Sequence, residues 1–478
     1  MELRGLRHFG LARQVKFACA ALAALTLLRL VLAAVMPLAP DEAYYWLWSR
    51  HLQAGYFDHP PMVALWIRAG TSIAGQTPLG VRLLGPLSGF AGSLFIWSAA
   101  EDLLPNRHAG LAAAALLNAT VMVGAGAIIM TPDTPLFFFW TAALAACGRL
   151  IATQNPRWWL AIGAAAGLAL LSKYTAVLLI AGIGFWLLTR RDGRAALRTV
   201  WPWAGLGLGL LIFLPNLLWN GSHGWVSYLK QGGRVAQFDA GRAAQFLAEL
   251  VIGQIGLATP IIFGLMAAGI WRLGAAKDAG SRLLLWLTLL PAAVFLEHVL
   301  SDRVQSNWPA VVYPAACIAA AGMPALRIWL KPAVVCGLGL TAIVYVQALT
   351  GCLPLPARED PTALQLAGWR AFATQVAATK AAFYTSDEYG PAAEMAFLQP
   401  HAVIAGFGGN LDRRWDYLHL PAAANLAGAT GILVTRRLDT SCPVPLGTVT
   451  RTRDDSVIAT YRLCRFVAPA GGVLLPHP

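Results

Sequence analysis

The chain is poor in charge. Only 12% of its 478 residues are Asp, Glu, Lys or Arg, while 57% are hydrophobic and the mean hydropathy is +0.58. Soluble domains carry about 25% charged residues, so a soluble globular protein does not fit, and neither does disorder. Acidic residues are the scarcer sign, 23 against 36 Lys and Arg, for a net charge of +13. That balance could suggest nucleic acid. The basic residues form no stripe, however. They punctuate apolar runs, as in a polytopic membrane protein, and no nucleic-acid partner is expected. The seven cysteines contain no Cys-x-x-Cys pair, which argues against zinc fingers and iron–sulfur sites. There is no Asp-x-Asp, no glycine-rich loop in a strand–turn–helix setting and no internal repeat.

What is present is long apolar runs. A helix needs about 20 mostly apolar residues to cross a bilayer. Eleven stretches qualify as candidates: 15–36, 79–101, 109–129, 134–152, 158–171, 175–189, 199–219, 246–271, 283–300, 309–326 and 333–351. The fifth and sixth flank Ser172-Lys173-Tyr174 and could be one long helix, but each flank is long enough to be read separately. With a cytoplasmic N-terminus the inner segments hold fifteen Lys or Arg and the outer loops before the tail hold seven, which supports that orientation. The first run contains Arg29 and lacks a clean Ala-x-Ala site, so an uncleaved anchor is expected rather than a signal peptide. The 18 Trp and 11 Tyr suit interfacial belts. Gly163-x-x-x-Gly167 and Gly205-x-Gly207-x-Gly209 lie inside spans and read as close helix packing.

The tail, residues 353–478, is nearly neutral and mixed. Ala381–Tyr384 and Gly431–Thr435 read as strands and Thr362–Thr379 as a helix. The expectation is an all-α membrane bundle over 1–352, with about eleven spans, and a small extracytoplasmic α/β domain over 353–478. Cys442 and Cys464 both fall in that domain. An outside compartment permits a disulfide between them, and two free thiols are the alternative.

Only thirteen acidic residues precede the tail. Charges near a bilayer are costly, about 2.5–3.5 kcal/mol at the midplane on insertion scales, so those retained call for a reason. On this topology Asp41, Glu42, Asp58, Asp133, Asp239 and Asp302 fall at the outer ends of spans, pointing to a site at the outer interface. The densest stretches are Pro40-Asp41-Glu42-Ala43-Tyr44-Tyr45-Trp46 and Tyr56-Phe57-Asp58-His59-Pro60-Pro61. A carboxylate such as Asp41, leaving the membrane into an aromatic helix, is partly desolvated and can become a stronger base. Alternatively, Asp41 and Glu42 merely cap that helix.

Asp41-Glu42-Ala43-Tyr44-Tyr45, Asp58-His59-Pro60-Pro61, Thr131-Pro132-Asp133 and Leu171-Ser172-Lys173-Tyr174 together resemble the GT-C membrane glycosyltransferases. More narrowly they resemble the protein O-mannosyltransferase and aminoarabinose-transferase (ArnT-like) group. The similarity covers about residues 15–350 and the order of span, acidic loop, spans and outer tail. It implies an inverting enzyme of the bacterial inner membrane that takes a sugar from a polyprenyl-phosphate carrier. The acceptor would be extracytoplasmic: lipid A or core, another envelope glycan or lipid, or a protein. By this resemblance Asp41 matches the catalytic base and Asp133 a second acidic position. Glu42, Tyr44, Tyr45, Asp58 and His59 fall in the matching substrate-binding motifs. His59 stands where some relatives have lysine, which puts a direct charge contact to phosphate in doubt. Lys173 matches a basic residue, with Tyr174 in place of a glycine. Arg303 and the Ser306-Asn307-Trp308-Pro309 stretch resemble a loop facing the carrier phosphate.

These residue types suit that chemistry. A hydroxyl attacking an anomeric carbon benefits from a carboxylate base, and Lys173 and Arg303 could offset charge developing on a lipid-phosphate leaving group. Lys173 could instead simply snorkel to the interface. No cofactor is demanded. A divalent metal held by Asp58 and His59 with His223 or His298 is conceivable, but the spacing is not diagnostic. The competing reading is a lipid or glycan transporter. Transporters, however, place their sites near the midplane between repeats, and here the acids gather at one surface.

Overall fold

The computed structural model describes residues 2–104, 108–232, 240–405, 413–418, 426–438 and 440–468. Asp239, and Arg107 and Arg234 of the basic count, lie outside the described residues. The chain divides into two compact units. One comprises residues 1–34, 82–221 and 232–342, the other 35–81, 222–231 and 343–478.

The first unit is helical. Among the described residues six helices are long and apolar enough to cross a membrane: Gln14–Val35, Pro78–Leu103, Asp133–Thr153, Val200–Ser222, Ala279–Val299 and Pro324–Thr350. They coincide with six of the eleven expected stretches. A seventh stretch, 246–271, is a pair of helices, Ala240–Ala258 and Pro260–Leu273, bent by 104°. The break falls at Thr259, whose φ is +73°, just before Pro260. Proline disfavours the helical region for its predecessor and removes one backbone donor, which accounts for the bend.

The other four expected stretches are shorter pieces. Residues 109–129 form two helices, Gly110–Asn118 and Val121–Gly126, not one. Thr120 starts the second by leaving the helical region and accepting the Val123 N–H through its hydroxyl at 3.2 Å. Residues 158–189 are indeed two helices, Trp158–Leu170 and Tyr174–Leu188, separated by an extended Lys173. The stretch 309–326 is reduced to Trp308–Ala321. The chain is thus a multi-pass membrane protein, with several of its apolar segments broken. The glycine motifs do bring backbones together. A Cβ on Gly163 would collide with the Gly205 carbonyl, and one on Gly167 with that of Gly209.

The second unit holds a four-stranded sheet of β1 (Phe383–Ser386), β2 (Thr430–Thr435), β3 (Val444–Arg453) and β4 (Ser456–Val467), in the order β1-β2-β4-β3. β1 and β2 are parallel; the other pairings are antiparallel. Phe383, Leu433, Cys464 and Phe466 form a buried cluster on this sheet. Cys442 and Cys464 are joined as a disulfide, with Cα atoms 5.1 Å apart. The helix expected over 362–379 is split into Pro361–Leu366 and Trp369–Ala377 by Gly368, which takes a left-handed φ of +78°. Two further helices matter for chemistry. Pro40–Arg50 packs on Tyr389–Leu398, with Pro40 against Gly390, where an added Cβ would come within 3.0 Å of the proline ring.

Candidate active site

The Pro40–Arg50 helix begins at a proline, whose missing N–H is no loss in a first turn. The cap is provided by Glu42, whose buried carboxylate accepts the Ala39 N–H at 2.9 Å. Capping therefore falls to Glu42, not Asp41. Asp41 Oδ1 instead accepts a 2.6 Å hydrogen bond from the Tyr389 hydroxyl. No hydrogen bond reaches its other oxygen among the described residues. Burial pushes the Asp41 carboxyl above the usual carboxylate range, against the Tyr389 hydrogen bond and the Arg414 charge, while Glu42 adds to the rise. Burial also raises the Tyr389 phenol, and the neighbouring Asp41 charge reinforces it, so Tyr389 remains a donor at neutral pH.

Asp58 lies in the same unit and is buried. Its Oδ2 accepts from the Tyr44 hydroxyl at 3.1 Å and from Arg414 Nε at 3.0 Å. Burial raises its carboxyl as well, with Arg414 opposing. The Arg414 guanidinium lies 4.6 Å from the centre of the Tyr389 ring, so one arginine links the surroundings of both carboxylates. Tyr44 packs on Tyr389 and Trp48, and Tyr45 on Trp48 and His59. The Asp58–Pro61 loop is held by Gln231, whose side chain donates to the Asp58 carbonyl at 2.7 Å. Asp41, Tyr389 and Arg414 open onto a cleft of about 640 Å³, bordered also by Trp369, Arg451 and Tyr461.

A separate polar cluster occupies the first unit. Asp133 begins the helix Asp133–Thr153. Lys173 Nζ donates to Asp133 Oδ1 at 2.7 Å, and Asn307 Nδ2 donates to Oδ2 at the same distance. Lys173 is buried and lies over the Trp308 ring, so it does not snorkel. The break at Ser172-Lys173 is what frees this side chain to reach Asp133 across the helices. Arg303 is not in this cluster. It pairs with Glu249, at 2.7 and 2.9 Å, on a half-exposed surface. Among the described residues no three His, Cys, Asp or Glu come together to hold a metal ion.

Sequence reasoning missed Tyr389, Arg414, Arg451 and Glu249. Tyr389 and Arg414 reach their carboxylates across 348 and 356 residues of chain, and only the fold reveals such pairs.

Comparison with known proteins bears on the sequence and the fold. Residues 58–219 match the dolichyl-phosphate-mannose-protein mannosyltransferase family. Over 292 residues the chain is 29% identical to the lipid A galacturonosyltransferase RgtD of Rhizobium johnstonii, covering 61% of this chain. The chain spans about 60% of the length of that relative. Among solved structures, ArnT from Cupriavidus metallidurans bound to undecaprenyl phosphate superposes with a TM-score of 0.64 at 17% identity, over 96% of this chain and 99% of that one. The apo form of the same protein gives 0.64 at 16% identity, over 97% and 100%. The chain is thus similar in sequence to membrane glycosyltransferases, with the family match spanning Asp58, Asp133 and Lys173 but not Asp41, and it shares the fold of ArnT.

Proposed function

We propose that the chain is a polyprenyl-phosphate-sugar-dependent glycosyltransferase that transfers its sugar with inversion to an acceptor outside the cytoplasm. The observation that carries this reading is Asp41, a half-buried carboxylate with raised basicity, held on one oxygen by a neutral phenol and with no hydrogen bond to the other among the described residues. In the proposed step Asp41 takes the proton of an acceptor hydroxyl. The acceptor oxygen attacks the anomeric carbon, the bond from that carbon to the phosphate oxygen breaks, and polyprenyl phosphate leaves with the electron pair. Lys173, fixed by Asp133, is the proposed counter-charge for that phosphate, and Asn307 its positioning partner. Tyr44 and Asp58 hold Arg414 and Tyr389 in place around Asp41. Glu42, Tyr45 and His59 support the same loop.

The donor assignment draws support from the ArnT structure with undecaprenyl phosphate. The name of the relative RgtD favours lipid A or another envelope glycolipid as acceptor, with protein as the alternative, and makes a uronosyl group one candidate sugar. We further propose eleven crossings over 1–352, in a bacterial inner membrane, with the N-terminus cytoplasmic and residues 353–478 periplasmic. An alkaline phosphatase fusion after Leu353 is then active and one at Arg194 is not; the reverse pattern overturns the topology.

The donor assay tests the function. Purified full-length protein is given radiolabelled polyprenyl-phosphate sugars with lipid A, and nucleotide sugars as control. Transfer from the carrier lipid alone is expected. Turnover of a nucleotide sugar in a preparation free of carrier lipid would defeat the reading.

A further inference from the structure

The cleft beside Asp41 contains a cationic group that the transfer step does not use. Arg451, on β3, is 3% exposed. Its guanidinium stacks 3.9 Å from the centre of the Trp369 ring, and Nη2 donates to the Leu364 carbonyl at 2.9 Å. Its Nε and Nη1 have no hydrogen-bond partner among the described residues. The stem is fixed too, because a Cβ on Gly368 would fall 2.7 Å from Arg451 Cγ. Of the other charges of the cleft, Arg414 is bound to Asp58, Arg436 is bidentate with Glu388 at 2.9 and 3.1 Å, and Asp387 accepts from Thr435 and Thr440 on Oδ2 while its Oδ1 has no hydrogen-bond partner among the described residues. Arg437 also borders the cleft, and its side chain makes no hydrogen bond or ion pair among the described residues. Glu388 and Glu394 act on Arg451 through space, but neither pairs with it.

We propose that this cleft binds an oxyanion carried by one of the two sugars of the reaction, with Arg451 and Arg437 as its contacts. The inference rests on the transferase reading and adds the substrate class. A guanidinium pinned on an aromatic face keeps its N–H donors in one plane, which suits a carboxylate or phosphate. A neutral hydroxyl would satisfy donors but leave a buried charge uncompensated. The volume of about 640 Å³ lies within the 300–1,000 Å³ typical of small-ligand sites. Two sources supply the same chemistry: the carboxylate of a uronosyl donor, or a phosphate on the acceptor headgroup. Either would anchor a sugar in the cleft onto which Asp41 opens.

The test uses the full-length protein in detergent and has two arms. The donor arm compares polyprenyl-phosphate galacturonate with the galactose analogue on one acceptor. The acceptor arm compares bisphosphorylated with dephosphorylated lipid A on one donor. In one arm wild type should prefer the anionic member by at least about tenfold in kcat/KM, the scale of one charge-assisted hydrogen bond. Arg451→Lys and the exposed Arg437→Gln should each narrow that ratio. Equal treatment of both members in both arms overturns the proposal, as does an equal loss for anionic and neutral members in the variants. A binding readout separates this from the transferase reading. Galacturonate or inorganic phosphate should raise the thermal midpoint of wild type, galactose should not, and the shift should shrink in Arg451→Lys. If that holds while no carrier-linked sugar turns over, the anion cleft stands and the transferase reading falls. If transfer proceeds and neither anion shifts wild type, the reverse is true.

Discussion

Asp41, which matches the base, and Asp133, which matches a second acidic position, differ in their surroundings. Asp133 has both oxygens occupied, one by the Lys173 ammonium and one by the Asn307 amide. The Lys173 contact is an ion pair at 2.7 Å. Among the described residues the Asp41 carboxylate accepts one hydrogen bond, from a neutral hydroxyl, and burial works against its charge. A carboxylate made reluctant to ionise holds a proton more readily once it has taken one. The comparison teaches that position at the outer end of a span does not by itself make a base. The partners decide, and in the proposed mechanism they leave proton transfer to Asp41 and charge organisation to Asp133.

The sharpest way to break this division is to substitute each centre. Asp41→Asn keeps the shape and the Tyr389 contact but cannot take a proton. Turnover should fall by about a thousandfold, within the range of general-base effects, with the yield of folded protein unchanged. Activity within about threefold of wild type removes the assignment, because a base worth 10²–10⁴-fold cannot be lost so cheaply. Lys173→Ala should act differently. It leaves the part-buried Asp133 without its cation, so the thermal midpoint should drop. Turnover should fall by one to two orders of magnitude, mainly in kcat, on the scale of a lost electrostatic contact to a developing charge. Restoring the midpoint with Lys173→Met plus Asp133→Leu, while activity stays low, would show that the pair serves chemistry beyond folding. Recovery of activity in that double variant would contradict it.

How much of this was legible in the sequence follows from the range of each interaction. The Pro40 helix start, the acidic loop and the break at Ser172-Lys173 are local, so residue order and apolar periodicity carry them. Pro260 is equally visible, but apolarity alone makes 246–271 a single candidate span, because composition does not show the left-handed Thr259 beside the proline. Thr120 similarly divides a run that hydropathy alone joins. The aromatic Asp41–Trp46 stretch indicated a desolvated carboxylate. It could not indicate that Glu42 would take the cap and leave Asp41 free, since that depends on which side chain reaches back to Ala39. Tyr389 and Arg414 sit in a tail whose strands were only half read, and they meet the first loop through tertiary packing. Arg303 was the opposite case. Its loop suggested a phosphate ligand, but the fold gives it Glu249, whose helix was not considered as a partner.

The smallest expected effect concerns the Tyr389 hydroxyl, and its sign is fixed by the geometry. The Asp41 carboxyl lies above the ordinary carboxylate range because burial outweighs the Tyr389 hydrogen bond and the Arg414 charge. A base works only when deprotonated. Activity is therefore present above that raised pKa and is lost as pH falls through it. Tyr389 donates to the ionised form and so holds the pKa lower than burial alone would set it. Tyr389→Phe removes the donor and keeps the ring on which Arg414 stacks. The acid limb of the kcat/KM profile should then move to higher pH. The variant should lose about tenfold in activity on the acid side, the lower end of the roughly 1.5–3 kcal/mol of a hydrogen bond to a charged group, and approach wild type on the alkaline plateau. A uniform loss at every pH would mean that Tyr389 positions substrate and does not tune the base. A limb that moves to lower pH would place the essential proton on a group other than Asp41. The corresponding profile of Asn307→Ala should keep its acid limb unmoved, because Asn307 binds Asp133 and the proton belongs elsewhere.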